Sequence, residues 1–280
     1  MDHWAPDELM ADVLRAAKKK AHLPVRDLLL RSVLAGGFLA YATSFAFVPI
    51  SQGLPPVAGA VVFPVGFVML ILLGFELATG NFATLPAAWL DGRVSSARLL
   101  RNWVWTYFGN LAGSIAYAAL FYAVVSNMGH GDGGALGEQI RQLAEKKTIV
   151  YSVLGVSGWS IALIKGLLCN WMVTTGTVLA FVSRSTVGKI TAMWLPITTF
   201  FALGFEHSVV NMFVIPAGMM LGAHVSIAQW WLWNQIPVTI GNVLSGAVLT
   251  GGALWYTHSR RRQEKIELET EVLVAGVSEF

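Results

Sequence analysis

The residues with the greatest chemical potential in this chain are Glu206 and His207. They sit side by side in Gly204-Phe205-Glu206-His207-Ser208-Val209-Val210-Asn211, a polar island inside an apolar run from Ile190 to Leu221. An ionisable side chain at membrane depth costs about 2.5–3.5 kcal/mol on insertion scales, so the pair requires a partner or a water-filled path. Histidine is the side chain that exchanges a proton near neutral pH, and a carboxylate beside it can take part in that exchange or anchor the backbone. An earlier segment, Gly74-Phe75-Glu76-Leu77-Ala78-Thr79-Gly80-Asn81, repeats the Gly-Phe-Glu and the Asn 130 positions upstream. Only the later copy carries the histidine.

The elements that position these residues are membrane helices. The chain is 55% hydrophobic and 12% charged, with a mean hydropathy of +0.60. Its apolar runs fall at roughly 28–50, 57–79, 102–125, 150–182, 190–221 and 235–257, each long enough to cross a hydrocarbon layer of about 30 Å. The reading is an all-α membrane protein with six spans. Basic residues cluster at 15–31, 93–101, 184–189 and 260–265, whereas the intervening loop holds only Arg141, Lys146 and Lys147. Both termini therefore face the cytoplasm. Trp89, Trp103, Trp230, Trp231 and Trp233 mark span ends as an interfacial belt. Residues 1–26 show no cleavable secretory pattern and read as an amphipathic helix lying on the membrane. Its Lys18-Lys19-Lys20 end either anchors to anionic headgroups or attracts an anion. The loop at 126–148 is glycine-rich and external, with a short helix from about Leu136. The segment 258–280 reads as a charged cytoplasmic tail.

The echo between the two islands extends further. Tyr107-Phe108-Gly109-Asn110-Leu111 is answered by Thr239-Ile240-Gly241-Asn242-Val243 at an offset of 132, and Arg31 to Ala35 loosely by Lys165 to Cys169 at 134. Three spans per unit, about 27–125 and 150–257, put the second copy in the membrane upside down, as an inverted pair. Each island is expected to break its helix, near Ala78 to Asn81 and near Phe205 to Val210. Irregular backbone at membrane depth must line a cavity or be buried in protein, so two facing breaks point to a permeation path. The alternative is a kinked helix holding a buried Glu-His contact without a pore.

Nothing else in the sequence competes as a site. His3, His22, His130, His224 and His258 lie near termini or span ends and show no metal-ligand spacing, and Cys169 is a lone residue in an apolar run. No cofactor, metal or nucleic-acid partner is expected.

Four segments carry a family resemblance: Gly204 to Phe213, Leu167-Leu168-Cys169-Asn170-Trp171-Met172-Val173, Asn102 to Asn110, and Ile236-Pro237-Val238-Thr239-Ile240-Gly241-Asn242. In order and spacing, from about Lys20 to Tyr256, the chain resembles the formate/nitrite transporter family. The resemblance implies an aquaporin-like protomer, a homopentamer with one pore per protomer, and passage of a small monovalent anion or its conjugate acid. It also implies residue roles. His207 matches the central pore histidine and Thr79 the threonine that bonds it; Asn170 and Asn211 join them as pore residues. Phe63, Phe200 and Val173 correspond to the outer constriction, and Phe67, Leu77 and Ala78 to the inner one, where bulk is exchanged relative to the formate channels between Phe67 and Ala78. Lys20 and Lys165 are expected to attract anions. The second vestibule lysine is missing near Leu154; Lys146 and Lys147 lie two turns earlier. Glu76 and Glu206 are expected to tie down backbone amides of the two loops.

The physics of such a pore is simple. A bare anion crossing two greasy constrictions sheds its hydration at high cost, and the neutral acid sheds far less. A proton supplied beside His207 removes most of that barrier. Formate is the favoured substrate, in an inner bacterial-type membrane, with nitrite or hydrosulfide as alternatives. A water or glycerol channel lacks its paired Asn-Pro-Ala here, and a membrane enzyme or cofactor-binding subunit would bring more convergent acid and base side chains than one histidine and two carboxylates.

Overall fold

A computed structural model describes residues 3–259, so the expected tail beyond 259 lies outside the described residues. Helices dominate, and among the described residues β-pairing is limited to one isolated bridge between His3 and Ser183. They run as α1 Pro6–Ala21, α2 Val25–Ser51, α3 Pro56–Leu72, α4 Ala78–Leu90, α5 Ser96–Val125, α6 Gly134–Lys146, α7 Ile149–Val153, α8 Val156–Leu179, α9 Thr186–Ala202, α10 Ser208–Met220 and α11 Ile227–His258. Four of these, α2, α5, α8 and α11, are long and apolar enough to cross a membrane. Two further apolar stretches are each split, α3 from α4 and α9 from α10. At 13 residues, α4 and α10 span only about 20 Å each, short of a hydrocarbon core of about 30 Å.

The splits fall a few residues before their expected places, and glycine is the cause. Gly74 and Gly204 adopt φ of +68° and +65°, the left-handed turn that ends a helix. The flanking bonds are those of a Schellman stop: Phe75 N–H to Leu70 O at 2.9 Å with Gly74 N–H to Ile71 O at 3.1 Å, and Phe205 N–H to Phe200 O at 3.2 Å with Gly204 N–H to Phe201 O at 3.1 Å. The chain then runs extended through Leu77 and His207, which become the N-caps of α4 and α10. Ala78 to Asn81 and Ser208 to Asn211 are thus the first turns of new helices rather than the breaks themselves.

Glycine also sets how closely the long helices approach. α2 packs along α5, and α8 along α11. A Cβ at Gly36 would stand 2.2 Å from Asn110 O, one at Gly113 1.9 Å from Val33 O, and one at Gly241 2.2 Å from Leu163 O, so these crossings need small residues facing a neighbouring backbone. α4 crosses to the other half of the molecule and packs on residues 245–252 of α11, where that helix widens into a π-helical stretch; α10 crosses likewise onto α5. The centre is filled by one apolar cluster that includes Phe63, Phe67, Leu77, Val173, Phe200 and Phe213. α1 lies against the far end of α4, burying Met10, Val13, Leu14 and Ala17, and Arg101 holds its exit by donating to Ala21 O and Leu23 O at 2.9 and 2.8 Å.

Neighbouring glycines on α2 give a sharp test of this packing. Gly36→Ala drives a methyl into the Asn110 carbonyl and should destabilise by about 1–3 kcal/mol, the usual range for overpacking. Gly37→Ala, whose nearest contact is 3.9 Å away, should be neutral or stabilising by up to about 1 kcal/mol through helix propensity. Thermal unfolding of both variants in detergent, followed by size exclusion, should show only the first melting early.

Candidate functional site

His207 is built into the start of α10. Its Nδ1 accepts the Val210 backbone N–H at 3.2 Å, so the side chain serves as the N-cap. A backbone N–H only donates, so Nδ1 must present its lone pair and the ring proton must sit on Nε2. Nε2 lies 3.1 Å from Thr79 Oγ1 and therefore donates to it. Thr79 is the second residue of α4, so the two half-helices meet with their N-termini at this one bond. Both ends carry partial positive charge and suit an anion. Both side chains are buried, and the imidazole stacks on Phe200 with centroids 5.6 Å apart and planes 25° apart.

Asn170 on α8 completes the centre. Its Nδ2 donates to Thr79 O at 3.2 Å and Asn242 O at 2.7 Å, while its Oδ1 and the Ser208 hydroxyl are buried without a partner among the described protein groups. An acceptor and a hydroxyl of this kind are available to a polar guest.

Two matching clusters hold the extended segments. Asn110 Oδ1 accepts Ala78 N–H at 2.9 Å, and its Nδ2 donates to Ser32 O and Glu76 O at 2.8 and 2.9 Å. Asn242 does the same for the second segment, accepting Ser208 N–H at 2.9 Å and donating to Gly166 O and Glu206 O at 2.7 and 3.2 Å. The asparagines, then, tie down the backbone. This corrects the role expected for the carboxylates, which reach side chains instead. Glu76 Oε2 takes Lys20 Nζ at 3.1 Å and Asn81 Nδ2 at 2.8 Å; Glu206 Oε2 takes Lys147 Nζ at 2.7 Å and Asn211 Nδ2 at 2.8 Å, with Tyr151 OH on its other oxygen at 2.9 Å. A buried carboxylate needs a cation and full hydrogen bonding, and a flexible lysine delivers the charge that a backbone amide cannot. Asn102 and Asn234 close the clusters, each accepting from Asn81 or Asn211 and donating to the backbone oxygen of Lys20 or Lys147.

Asn211 accordingly sits in the Glu206 cluster rather than on the Thr79–His207 bond. Lys20 is paired with Glu76, so much of its long-range field is cancelled. Lys147 is the corresponding lysine of the second half: it stands in the two-residue turn between α6 and α7 and reaches Glu206 although it precedes the expected position by two turns. The sequence reading discounts Lys147 on spacing and does not single out Tyr151, Asn102 or Asn234. The signal available was the offset itself, because Asn102 and Asn234 lie 132 apart, as Asn110 and Asn242 do.

Phe63 stacks on Phe201 at 4.2 Å and meets Phe200 edge-on at 5.6 Å. Phe67, Leu77, Ala78 and Val173 are all buried. Beyond Phe200 opens a cavity of about 420 Å3 lined by Lys146, Lys147, Lys165 and Tyr151 among others, with Lys165 Nζ 5.9 Å from the Tyr151 ring centroid. Among the described residues no group of three or more His, Cys, Asp or Glu side chains is arranged to hold a metal ion.

Comparison with known proteins places this geometry. A family model described as "Formate/nitrite transporter" matches residues 7–256. A probable formate transporter of Methanothermobacter thermautotrophicus is 35% identical over 257 residues, covering 86% of this chain and 92% of that protein. The formate channel BtFdhC of Bacillus thuringiensis is 32% identical over 267 residues, covering 91% and 96%. Among solved structures, an FNT family ion channel superposes with a TM-score of 0.75 at 26% identity over 90% of this chain and 97% of its own. A pentameric formate channel with formate bound superposes with a TM-score of 0.68 at 28% identity over 83% and 96%. The chain belongs to the formate/nitrite transporter family, a family of membrane transporters rather than enzymes.

Proposed function

We propose that this protein passes formate, or a small weak acid of the same size, across the inner membrane through a path within each protomer, together with a proton handled at His207. The observation that carries the reading is the bond from His207 Nε2 to Thr79, at the meeting of two helix N-termini and against the face of Phe200. In this reading the paired breaks and the matched asparagine clusters are two inverted three-helix repeats that together make six crossings. Both termini are cytoplasmic, and the protein assembles as a homopentamer like its structural relative. The formate named in several relatives supports the substrate; nitrite and hydrosulfide are the alternatives.

The sequence of events follows from charge. An anion gathers in the outer cavity, where Lys146 and Lys165 supply positive charge beyond the Lys147–Glu206 pair. Phe63, Phe200 and Val173 then exclude its hydration shell, and Phe67, Leu77 and Ala78 do so on the other side. Desolvating an ion costs several kcal/mol even after relaxation. A proton taken up from water at Nδ1 makes the imidazolium, which passes its Nε2 proton to the carboxylate so that a neutral acid crosses. The ring, left with its proton on Nδ1, returns to its starting tautomer when Nε2 takes a proton from water and Nδ1 releases one, so that one proton is consumed per acid formed. Freeing Nδ1 sacrifices the cap on Val210, about 1 kcal/mol, which is small against the barrier removed. Thr79 and Asn170 orient the ring and the acid.

Purified protein in liposomes with a pH-sensitive dye tests the function: formate should enter with a proton, and absence of flux with formate, nitrite and hydrosulfide alike would overturn the reading. In the same assay His207→Asn should keep the fold, since Asn caps helices well, but should lose the bond to Thr79 and acid-stimulated uptake by roughly 100-fold, the lower end for removing a general acid. Unchanged proton coupling would take His207 out of the mechanism. Phe200→Ala should do the opposite, widening the wall and giving ion conductance with weaker dependence on pH, because dehydration is no longer enforced.

A further inference from the structure

The segment carrying His207 is held by a contact that its counterpart lacks. Ser208 N–H is fixed by Asn242, as Ala78 N–H is by Asn110, but the Ser208 carbonyl has an additional donor, Gln235 Nε2 at 3.3 Å. Gln235 stands at the end of a π-helical turn, Trp231–Gln235, near the start of α11, and is wholly buried. Its amide orientation is forced. The Trp230 indole can only donate, and it lies 3.1 Å from Gln235 Oε1, so the NH2 group must face the other way. There it donates both to Ser208 O and, at 2.7 Å, to Tyr107 OH on α5. Tyr107 OH in turn lies 2.8 Å from Thr239 Oγ1 on α11, so that side chains of the two halves of the molecule also meet here. In the first half the position matching Gln235, 132 residues earlier, is Trp103, which donates to Asn81 O instead. The brace exists only on the side that carries the imidazole.

We propose that Gln235 and Tyr107 are positioning residues for His207. They fix the plane of the Ser208 peptide, and with it the backbone from which the imidazole reaches Thr79, and they reference that backbone to the opposite half of the protein. The π-helical turn serves this end: one extra residue per turn rotates Gln235 toward Ser208 and Tyr107. The proposal rests on the role given to His207 above.

Tyr107→Phe removes one hydroxyl and keeps the ring, and the test reads three quantities on the full-length protein: the imidazole 15N resonances of His207, acid-stimulated formate uptake in proteoliposomes, and the melting temperature. The His207 resonances are assigned by their loss in His207→Asn. The expected result is a shifted Nε2 resonance and a roughly tenfold fall in uptake, within the hundredfold that a 1 Å misplacement can cost, at nearly unchanged melting temperature. The double variant with His207→Asn should be no worse than His207→Asn alone. Unmoved imidazole resonances, or losses that multiply in the double variant, would overturn the proposal. If Tyr107→Phe does not fold, Thr239→Val removes the next hydroxyl of the brace and is read in the same way. Should His207→Asn itself retain acid-stimulated uptake, the functional reading fails, and the imidazole resonances alone decide whether the brace positions the ring.

Discussion

The constraint on which this structure depends is that backbone polar groups at membrane depth must find partners inside the protein. A helix satisfies its own, and an extended segment cannot. Leu73 to Leu77 and Leu203 to His207 interrupt two apolar stretches, and each leaves N–H and carbonyl groups with no helical partner. Asn110 and Asn242 answer this requirement, each spending one amide on three backbone groups: the first N–H of the following half-helix, a carbonyl of the extended segment and a carbonyl of the neighbouring long helix. The amides could not reach so far unless the helices lay close, which is why Gly36 and Gly166, with almost no room for a methyl, stand beside them. Close packing, broken helices and a polar centre are one solution rather than three features.

The ion pairs add a second layer. Removing one partner of a buried pair typically costs 3–5 kcal/mol, because the other charge is stranded. Glu206 is nearly inaccessible, yet it holds Lys147, Tyr151 and Asn211, and Asn234 supports the arrangement from α11. Lys147 belongs to the turn between α6 and α7, so the pair also fastens this segment beside the cavity that Lys146 and Lys147 help to line. Lys20 does the same for α1 at the other end through Glu76. The two peripheral helices are thereby tied to the same segments that hold Thr79 and His207.

Much of this was legible in the sequence, and the reasons differ by residue. The apolar runs and the two polar islands were visible because charge in a membrane span is costly and therefore rare. The positions of the breaks were read slightly late, since the polar residues drew attention while Gly74 and Gly204, which force the turn, precede them. Asn110 and Asn242 stood out as echoes, but the three bonds each makes depend on helix crossings that hydropathy does not encode. Lys147 was misjudged on spacing alone, because the turn between α6 and α7 decides where its ammonium ends up. The exchange of bulk between Phe67 and Ala78 was readable, whereas the stacking of Phe200 on His207 is a property of packing.

Where the two halves match, they make scaffold; where they differ, they make chemistry. Glu76 and Glu206, Asn81 and Asn211, Asn102 and Asn234, and Asn110 and Asn242 share one core of bonds on either side, and none of them hydrogen-bonds to the central imidazole ring. The centre is made of mismatches. His207 answers Leu77, Thr79 answers Val209, and Gln235 answers Trp103. A perfectly matched pair of segments would place two histidines or two leucines at the middle. The first would set like groups against each other as both took up protons, and the second would offer a guest nothing but hydrocarbon. One histidine facing one threonine gives a single donor with a defined direction, because the cap on Val210 holds Nδ1 and leaves Nε2 for the centre. The symmetric scaffold supplies rigidity, and a few departures from it fix which atom holds the proton.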